Sequence, residues 1–343
     1  MRVLIVGCGG YVGIPLCEEL ARRGHIVGGL DRFFFGKRPS ARHFKADIRT
    51  VDEANLTFAD SETDKPVPFD AVIDLCGLSN DATAEIDRDL TRSINCDGAI
   101  RLAEVAKKAG VRRYLYASSA SVYGHGDKRN LTETDICNPV SLYAQCKLLV
   151  EDHLRSIAGD GFEPVILRNA TVFGYAPRMR FDLAVNIMTL RAWKDHVFYI
   201  MGGGNQMRPF VHIKDLVHVV TLILDAPAEL VAGETLNVGS DENNYSIKHL
   251  AWKISRSFPM AQVHTIPDNI DPRDYHLSFA KIAKLIEPYK WRGIMEGVQE
   301  ITAELDRNPD LANDPTCHTL NWYKSLLEWD KRIADLKLDG RIL

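Results

Sequence analysis

Short apolar runs alternate with longer amphipathic stretches through the first half of the chain. Residues 2–6, 25–30, 71–75, 112–118 and 164–168 are nearly continuous apolar runs, the form taken by strands buried on both faces of a parallel sheet. Between them, residues 11–23, 90–108 and 142–157 carry apolar positions at helical spacing, and Gly24 and Gly110 stand where helix C-caps belong. The alternation predicts an α/β fold, a doubly wound parallel sheet covered by helices on both faces. After about Gly174 the pattern loosens into a helix over 181–193, a Gly202-Gly203-Gly204 turn, a strand near Phe210, a helix over 214–224 and short elements to about Leu305. This divides the chain into a doubly wound (Rossmann) domain over 1–175, to which segments of 205–240 return, and a smaller mixed α/β domain over 176–307. An extension over 308–343 follows. In it, Pro309 and Pro315 precede an amphipathic helix over 320–333, whose stripe of Trp322, Leu326, Leu327 and Trp329 predicts packing against the same chain or a second copy.

At 343 residues the chain has room for two cores. Its hydrophobic share of 45% and charged share of 26% are ordinary for globular proteins, and a net charge of -4 supplies no broad field to attract nucleic acid or anionic lipid. Any anionic ligand must therefore be held by local cations. Seven scattered cysteines without a C-x-x-C pair indicate neither a disulfide framework nor a structural zinc site, and no cluster has the spacing of a metal site. The apolar run before Gly7 is too short for a secretory leader, and no uncharged stretch approaches the roughly 20 residues of a membrane helix. A cytoplasmic protein with no membrane contact is expected.

Gly7, Gly10 and Gly13 fall between the first strand and the first helix, with Tyr11 and Val12 among them. Glycine there permits a tight turn, close approach of the backbone to a pyrophosphate and helix-to-strand contact. Asp31 ends the second strand about twenty residues on, where a carboxylate accepts hydrogen bonds from an adenosine ribose diol and repels a 2′-phosphate. NAD is thus the expected cofactor, although Arg32 leaves NADP open. Asp47 and Ile48 end the third run and either meet the adenine edge or cap the next segment.

Tyr143 and Lys147 lie four apart on a predicted helix, hence on one face. Ser118, Ser119 and Ser121, with Tyr123 and Gly124, stand at the carboxyl end of a strand, the side of a doubly wound sheet where ligands bind. Together with the glycine loop, Asp31, Asn95, the segment 167–174, the run 208–212 with Asp215, and Asn237-Val238-Gly239, these residues resemble the extended short-chain dehydrogenase/reductase family, in its nucleotide-sugar epimerase and dehydratase group. The segment 176–186 and the run Asp271-Pro272-Arg273-Asp274-Tyr275 look most like bacterial members acting on surface-polysaccharide precursors, nucleotide-linked heptoses included.

The resemblance implies an NAD-dependent enzyme, a homodimer of packed helices 90–108 and 142–157, and a nucleotide-diphosphate sugar as substrate. Tyr143 is then the base, its phenolate stabilised by the Lys147 ammonium and the nicotinamide charge. Ser119 donates to the sugar oxygen as it becomes a carbonyl. Lys147 also meets the nicotinamide ribose, Leu75 and Cys76 lie against the cofactor, and Asn95 gives relay or structural support. Cys76 reads either as a base for 3- or 5-epimerisation or as a small apolar core thiol. Arg180, Arg208 and Arg273 are the expected diphosphate ligands, with Ser121, Thr171 and Asn186 as polar contacts.

Relatives that dehydrate carry Asp-Glu where this chain has Ala120-Ser121, and decarboxylating ones carry glutamate at Ser121. Without those carboxylates, transient oxidation at C4 followed by re-reduction, an epimerisation, is the expected reaction. A 4-dehydrogenase or ketoreductase, a 4,6-dehydratase, and a dinucleotide-sensing regulator that has lost catalysis are the alternatives.

Overall fold

The computed structural model describes residues 1–59, 65–126, 129–268, 271, 273–338 and 340–341. Pro272, in the run singled out above, lies outside them. The apolar runs become a seven-stranded parallel sheet of β1 (Arg2–Val6), β2 (Ile26–Asp31), β3 (Arg42–Lys45), β4 (Ala71–Asp74), β5 (Arg113–Ser119), β6 (Glu163–Asn169) and β7 (Thr235–Val238). Their spatial order is β7-β6-β5-β4-β1-β2-β3, so the winding reverses between β1 and β4. Val3, Leu4, Ile5 and Val6 are wholly buried because helices cover both faces. Helices α1 (Gly13–Arg22), α2 (Ala99–Lys108), α3 (Leu142–Ile157), α4 (Ala184–Lys194), α5 (Ile213–Asp225) and α6 (Thr319–Leu336) are used below.

On one face Leu16 and Leu20 of α1 share a core with Val219, Val220 and Ile223 of α5. On the other, Leu102 and Ala106 of α2 pack with Val150 and Leu154 of α3. Each such leucine or isoleucine contributes roughly 1.5–3 kcal/mol by leaving water. The second half adds a three-stranded sheet of Thr171–Phe173, Met207–His212 and Asn244–Ser246, and a parallel pair of Val197–Met201 with Gln262–Ile266.

One expectation is corrected. The helix expected over 90–108 is broken into Arg88–Arg92, a π turn over Ser93–Gly98, and α2. The extra residue of that turn brings Gly98 against Ile48, where a Cβ would meet Ile48 Cγ2 at 2.9 Å. Of the two roles expected for Asp47, its side chain takes that of a cap, accepting from Arg49 N in the turn Ile48–Thr50. Of the two packings expected for the stripe of α6, the one against its own chain is seen, Trp322 Nε1 donating to Phe34 O, although only Thr319 of that helix is buried and Trp329 stays 47% exposed. Among the described residues no helix is long and apolar enough to cross a membrane, no cluster could hold a metal ion, and all seven cysteines are free.

Candidate active site

The carboxyl ends of β1, β4, β5 and β6 open into one cavity of about 860 Å³, at the place where the strand order reverses. Every residue expected at the site from sequence lines it except Asn186. Asn186 is fully buried behind the wall, accepting from Gly174 N (3.1 Å) and donating to the Tyr11 hydroxyl (3.2 Å) and the Arg180 carbonyl (2.9 Å). It therefore braces two wall residues and does not face a ligand.

At one end of the cavity the glycine loop folds tightly. Gly7 sits at φ +88°, and a Cβ on Gly13 would lie 2.2 Å from the Gly7 carbonyl oxygen. The first turn of α1 has no side-chain cap and no acidic residue; Ile14 N donates to Gly10 O at 3.2 Å and Pro15 has no N–H, so an anion there meets the positive end of the helix and the amides of the loop before it. Asp31 accepts from Gly9 N at 3.0 Å and Phe33 N at 2.6 Å. Burial raises its pKa against the pull of those amides and of Arg178. Arg32 is committed to Asp47 at 2.5 Å and lies 5.0 Å from the Phe34 ring centroid. Asp47 also pairs with Arg49 at 2.7 Å, so its carboxylate is spent on arginines. Tyr11 lines the loop while its hydroxyl donates to Gly174 O at 2.5 Å. For Gly13→Ala the added methyl forces the loop to move, at about 1–3 kcal/mol for overpacking. NAD affinity is expected to drop about tenfold to a hundredfold by titration calorimetry; unchanged affinity contradicts the loop's role.

The other end holds Ser119, Tyr143 and Lys147. Ser141 caps α3, its hydroxyl accepting from Ala144 N, and this cap starts the helix that carries Tyr143 and Lys147 one turn apart. Burial pushes the Tyr143 phenol up to about 12, Asp81 adds to the rise, and Arg180 and a hydrogen bond with Ser119 pull the other way. Lys147 Nζ donates to Ala117 O at 2.7 Å and stands 5.8 Å from the Tyr143 ring centroid. Burial lowers the lysine's own pKa, with Asp74 opposing. Ser119 Oγ accepts from the Ser121 hydroxyl at 2.9 Å. Burial, then Asp74 and Asp31, hold the Cys76 thiol well above its ordinary range, which disfavours it as a base. Asn95 clamps Leu78, accepting its amide at 2.8 Å and donating to its carbonyl at 3.0 Å, so it holds the loop after β4.

Three arginines face this end, each already paired. Arg180 contacts Asp182 at 2.5 Å and Ser79 Oγ at 3.0 Å. Arg208 contacts Asp271 at 2.9 Å, and Arg273 contacts Asp271 at 2.6 Å and also Asp81. Burial would raise Asp271, but the Arg273 hydrogen bond and charge outweigh it and bring the carboxyl down from 3.8 to about 2. Because its folded pKa is depressed, the stability it contributes is present above pH about 4 and is lost as pH falls through about 2. Asp271→Asn is expected to flatten that limb of a stability profile measured by denaturant titration; an unaltered limb contradicts it.

Sequence reasoning missed Asp81, Glu151, Arg178 and the α6 residue Tyr323. Glu151 had a signal, since it stands one helical turn beyond Lys147 as Lys147 does beyond Tyr143. The others belong to segments whose meeting only the fold creates.

A doubly wound sheet with a glycine cradle, a ribose-directed carboxylate and a Ser-Tyr-Lys set defines a dinucleotide-dependent enzyme of the epimerase and dehydratase type. The model of the NAD dependent epimerase/dehydratase family matches residues 3–239, and the chain belongs to that family. Its cofactor is NAD. The relative YtcB of Bacillus subtilis (strain 168), an uncharacterized UDP-glucose epimerase, is 28% identical over 257 residues, 72% of this chain and 79% of that protein. A UDP-N-acetyl-alpha-D-glucosaminuronate decarboxylase of Bacillus cytotoxicus is 28% identical over 262 residues, 74% of this chain and 79% of the relative. Among solved structures, MoeE5 in complex with UDP-glucose and NAD aligns at a TM-score of 0.76 and 24% identity, covering 90% of this chain and all of the other, a likeness of fold.

Proposed function

We propose that this chain is a nucleotide-sugar epimerase that oxidises its substrate transiently at C4 and reduces the ketosugar on the opposite face. The observation that supports this most is the meeting of Ser119, Tyr143 and Lys147 on one cavity at the mouth of β5, beside Ala120 and Ser121, where relatives that eliminate water or lose carbon dioxide carry carboxylates. When bound, NAD supplies the hydride acceptor and donor. Tyr143 takes the proton of the C4 hydroxyl and returns it, and Ser119 donates to the same oxygen as it becomes a carbonyl. Lys147, anchored by Ala117 O one helical turn from Tyr143, would hold the nicotinamide ribose and bring positive charge to the phenol. Arg180, Arg208 and Arg273, with Ser121 and Thr171, hold the sugar diphosphate by exchanging their aspartate partners for phosphate oxygens. A homodimer on α2 and α3 fits the exposure of Leu149, 49% open on α3. The test is to incubate the purified protein with a panel of nucleoside-diphosphate hexoses, UDP-glucose among them. The C4 epimer forming without net NADH absorbance supports epimerisation; NADH in proportion to substrate, or a 4-keto-6-deoxy product, overturns it.

A further inference from the structure

We infer that Arg178 and the C-terminal helix α6 form a second wall of the cofactor cavity, Arg178 binding the dinucleotide's diphosphate beside the glycine loop and α6 closing over it so that the cofactor is retained between turnovers. Arg178 is only 2% exposed, lines the cavity, and pairs with no carboxylate among the described residues. Its Nη2 donates to Thr319 Oγ1 at 2.9 Å and its guanidinium lies 3.5 Å from the Phe35 ring centroid, while its Nε is buried with no acceptor. A buried cation with an orphaned donor calls for an anion from outside the chain. Burial lowers its pKa only to about 10, so the charge persists at neutral pH.

Its position selects the anion. Its guanidinium lies on the ring of Phe35, in the loop that follows Asp31, and two residues along the chain Arg180 reaches Ser79 at the reacting end. A cation on the cavity wall between the ribose-directed carboxylate and that end matches the diphosphate that joins the two halves of the cofactor.

The helix that buries Arg178 also covers the cavity. Trp322 Nε1 donates to Phe34 O at 2.7 Å, and the Tyr323 ring stands edge-on to Phe34 and Phe35 at 6.0 and 5.4 Å. Tyr323, Leu326, Leu327 and Asp330 line the cavity. The loop after β2 is thereby pinned to α6, on whose same stripe Trp329 stands edge-on to Trp322 at 5.4 Å and remains exposed. A helix with one buried residue is held mainly by this seam and can lift without unfolding the sheet.

The inference rests on the NAD cofactor and not on the proposed reaction, so a protein that binds NAD but fails to epimerise leaves it standing. The experiment uses the full chain, with Arg178→Met, Arg178→Lys and Trp322→Ala/Tyr323→Ala. NAD affinity is measured by calorimetry without sugar, UDP affinity on the NAD-loaded protein, and release of bound NADH by stopped-flow fluorescence. Arg178→Met is expected to weaken NAD at least tenfold with UDP binding unchanged, and Arg178→Lys to recover part of the loss. The double variant, whose side chains lie outside the buried core, is expected to release NADH at least tenfold faster. NAD affinity and release within twofold of the parent overturn the proposal, and so does a loss confined to UDP, which would assign the cation to the substrate's diphosphate.

Discussion

Tyr143→Phe is expected to lower turnover by about a thousandfold while NAD binding and thermal stability stay at the parent's level. The substitution removes one hydroxyl and leaves the ring in place on α3. General-base catalysis is worth roughly 100- to 10,000-fold, and no other group in the Ser119 cluster can replace it. Cys76 is held protonated by burial and the neighbouring carboxylates, and Asp81 is engaged by Ser141 and Arg273. Steady-state conversion together with the cofactor released on denaturation reads both quantities. Turnover within threefold of the parent removes the phenol from the reaction.

Glu151→Gln is expected to destabilise the fold by about 3–5 kcal/mol, the cost of leaving a buried cation without its counter-charge. Glu151 is wholly buried on α3, paired with Arg168 of β6 at 2.7 Å and Arg155 at 2.7 Å, and it accepts the Ser118 hydroxyl at 2.5 Å. Arg168 also donates to the Tyr123 hydroxyl at 2.9 Å, and Tyr123 donates to Asn237 at 2.8 Å, so one polar chain ties the catalytic helix to three strands. Turnover falls as well, because Lys147 and Tyr143 ride on that helix. Pairing the change with Arg168→Met, which removes the stranded guanidinium, should restore part of the stability in denaturant unfolding. No recovery in the double variant means that the network acts by shape and not by charge.

The central strands and most of the helices were legible because their apolar periodicity answers directly to burial on a two-sided sheet. Ser119, Tyr143, Lys147 and Asp31 were legible for another reason: strand ends and helix turns fix where such residues point before any tertiary contact is known. The π turn over Ser93–Gly98 was not, since one extra residue barely disturbs a 3.6-residue period. Asn186 was misplaced because a polar residue on an apolar helix looks alike whether it meets a ligand or an interior carbonyl. Arg178 with Tyr323, and Arg273 with Asp81, join segments far apart in the chain, and no local pattern encodes such pairs.

Around the sugar-diphosphate half of the cavity, Arg180, Arg208 and Arg273 face Asp81, Asp182 and Asp271, three positive charges against three negative ones. With no surplus charge, the mouth exerts little long-range pull, and a dianionic substrate arrives by undirected diffusion. The encounter rate should therefore vary little with ionic strength, and discrimination among phosphorylated metabolites falls to the moment when carboxylate and phosphate trade places on the guanidinium groups.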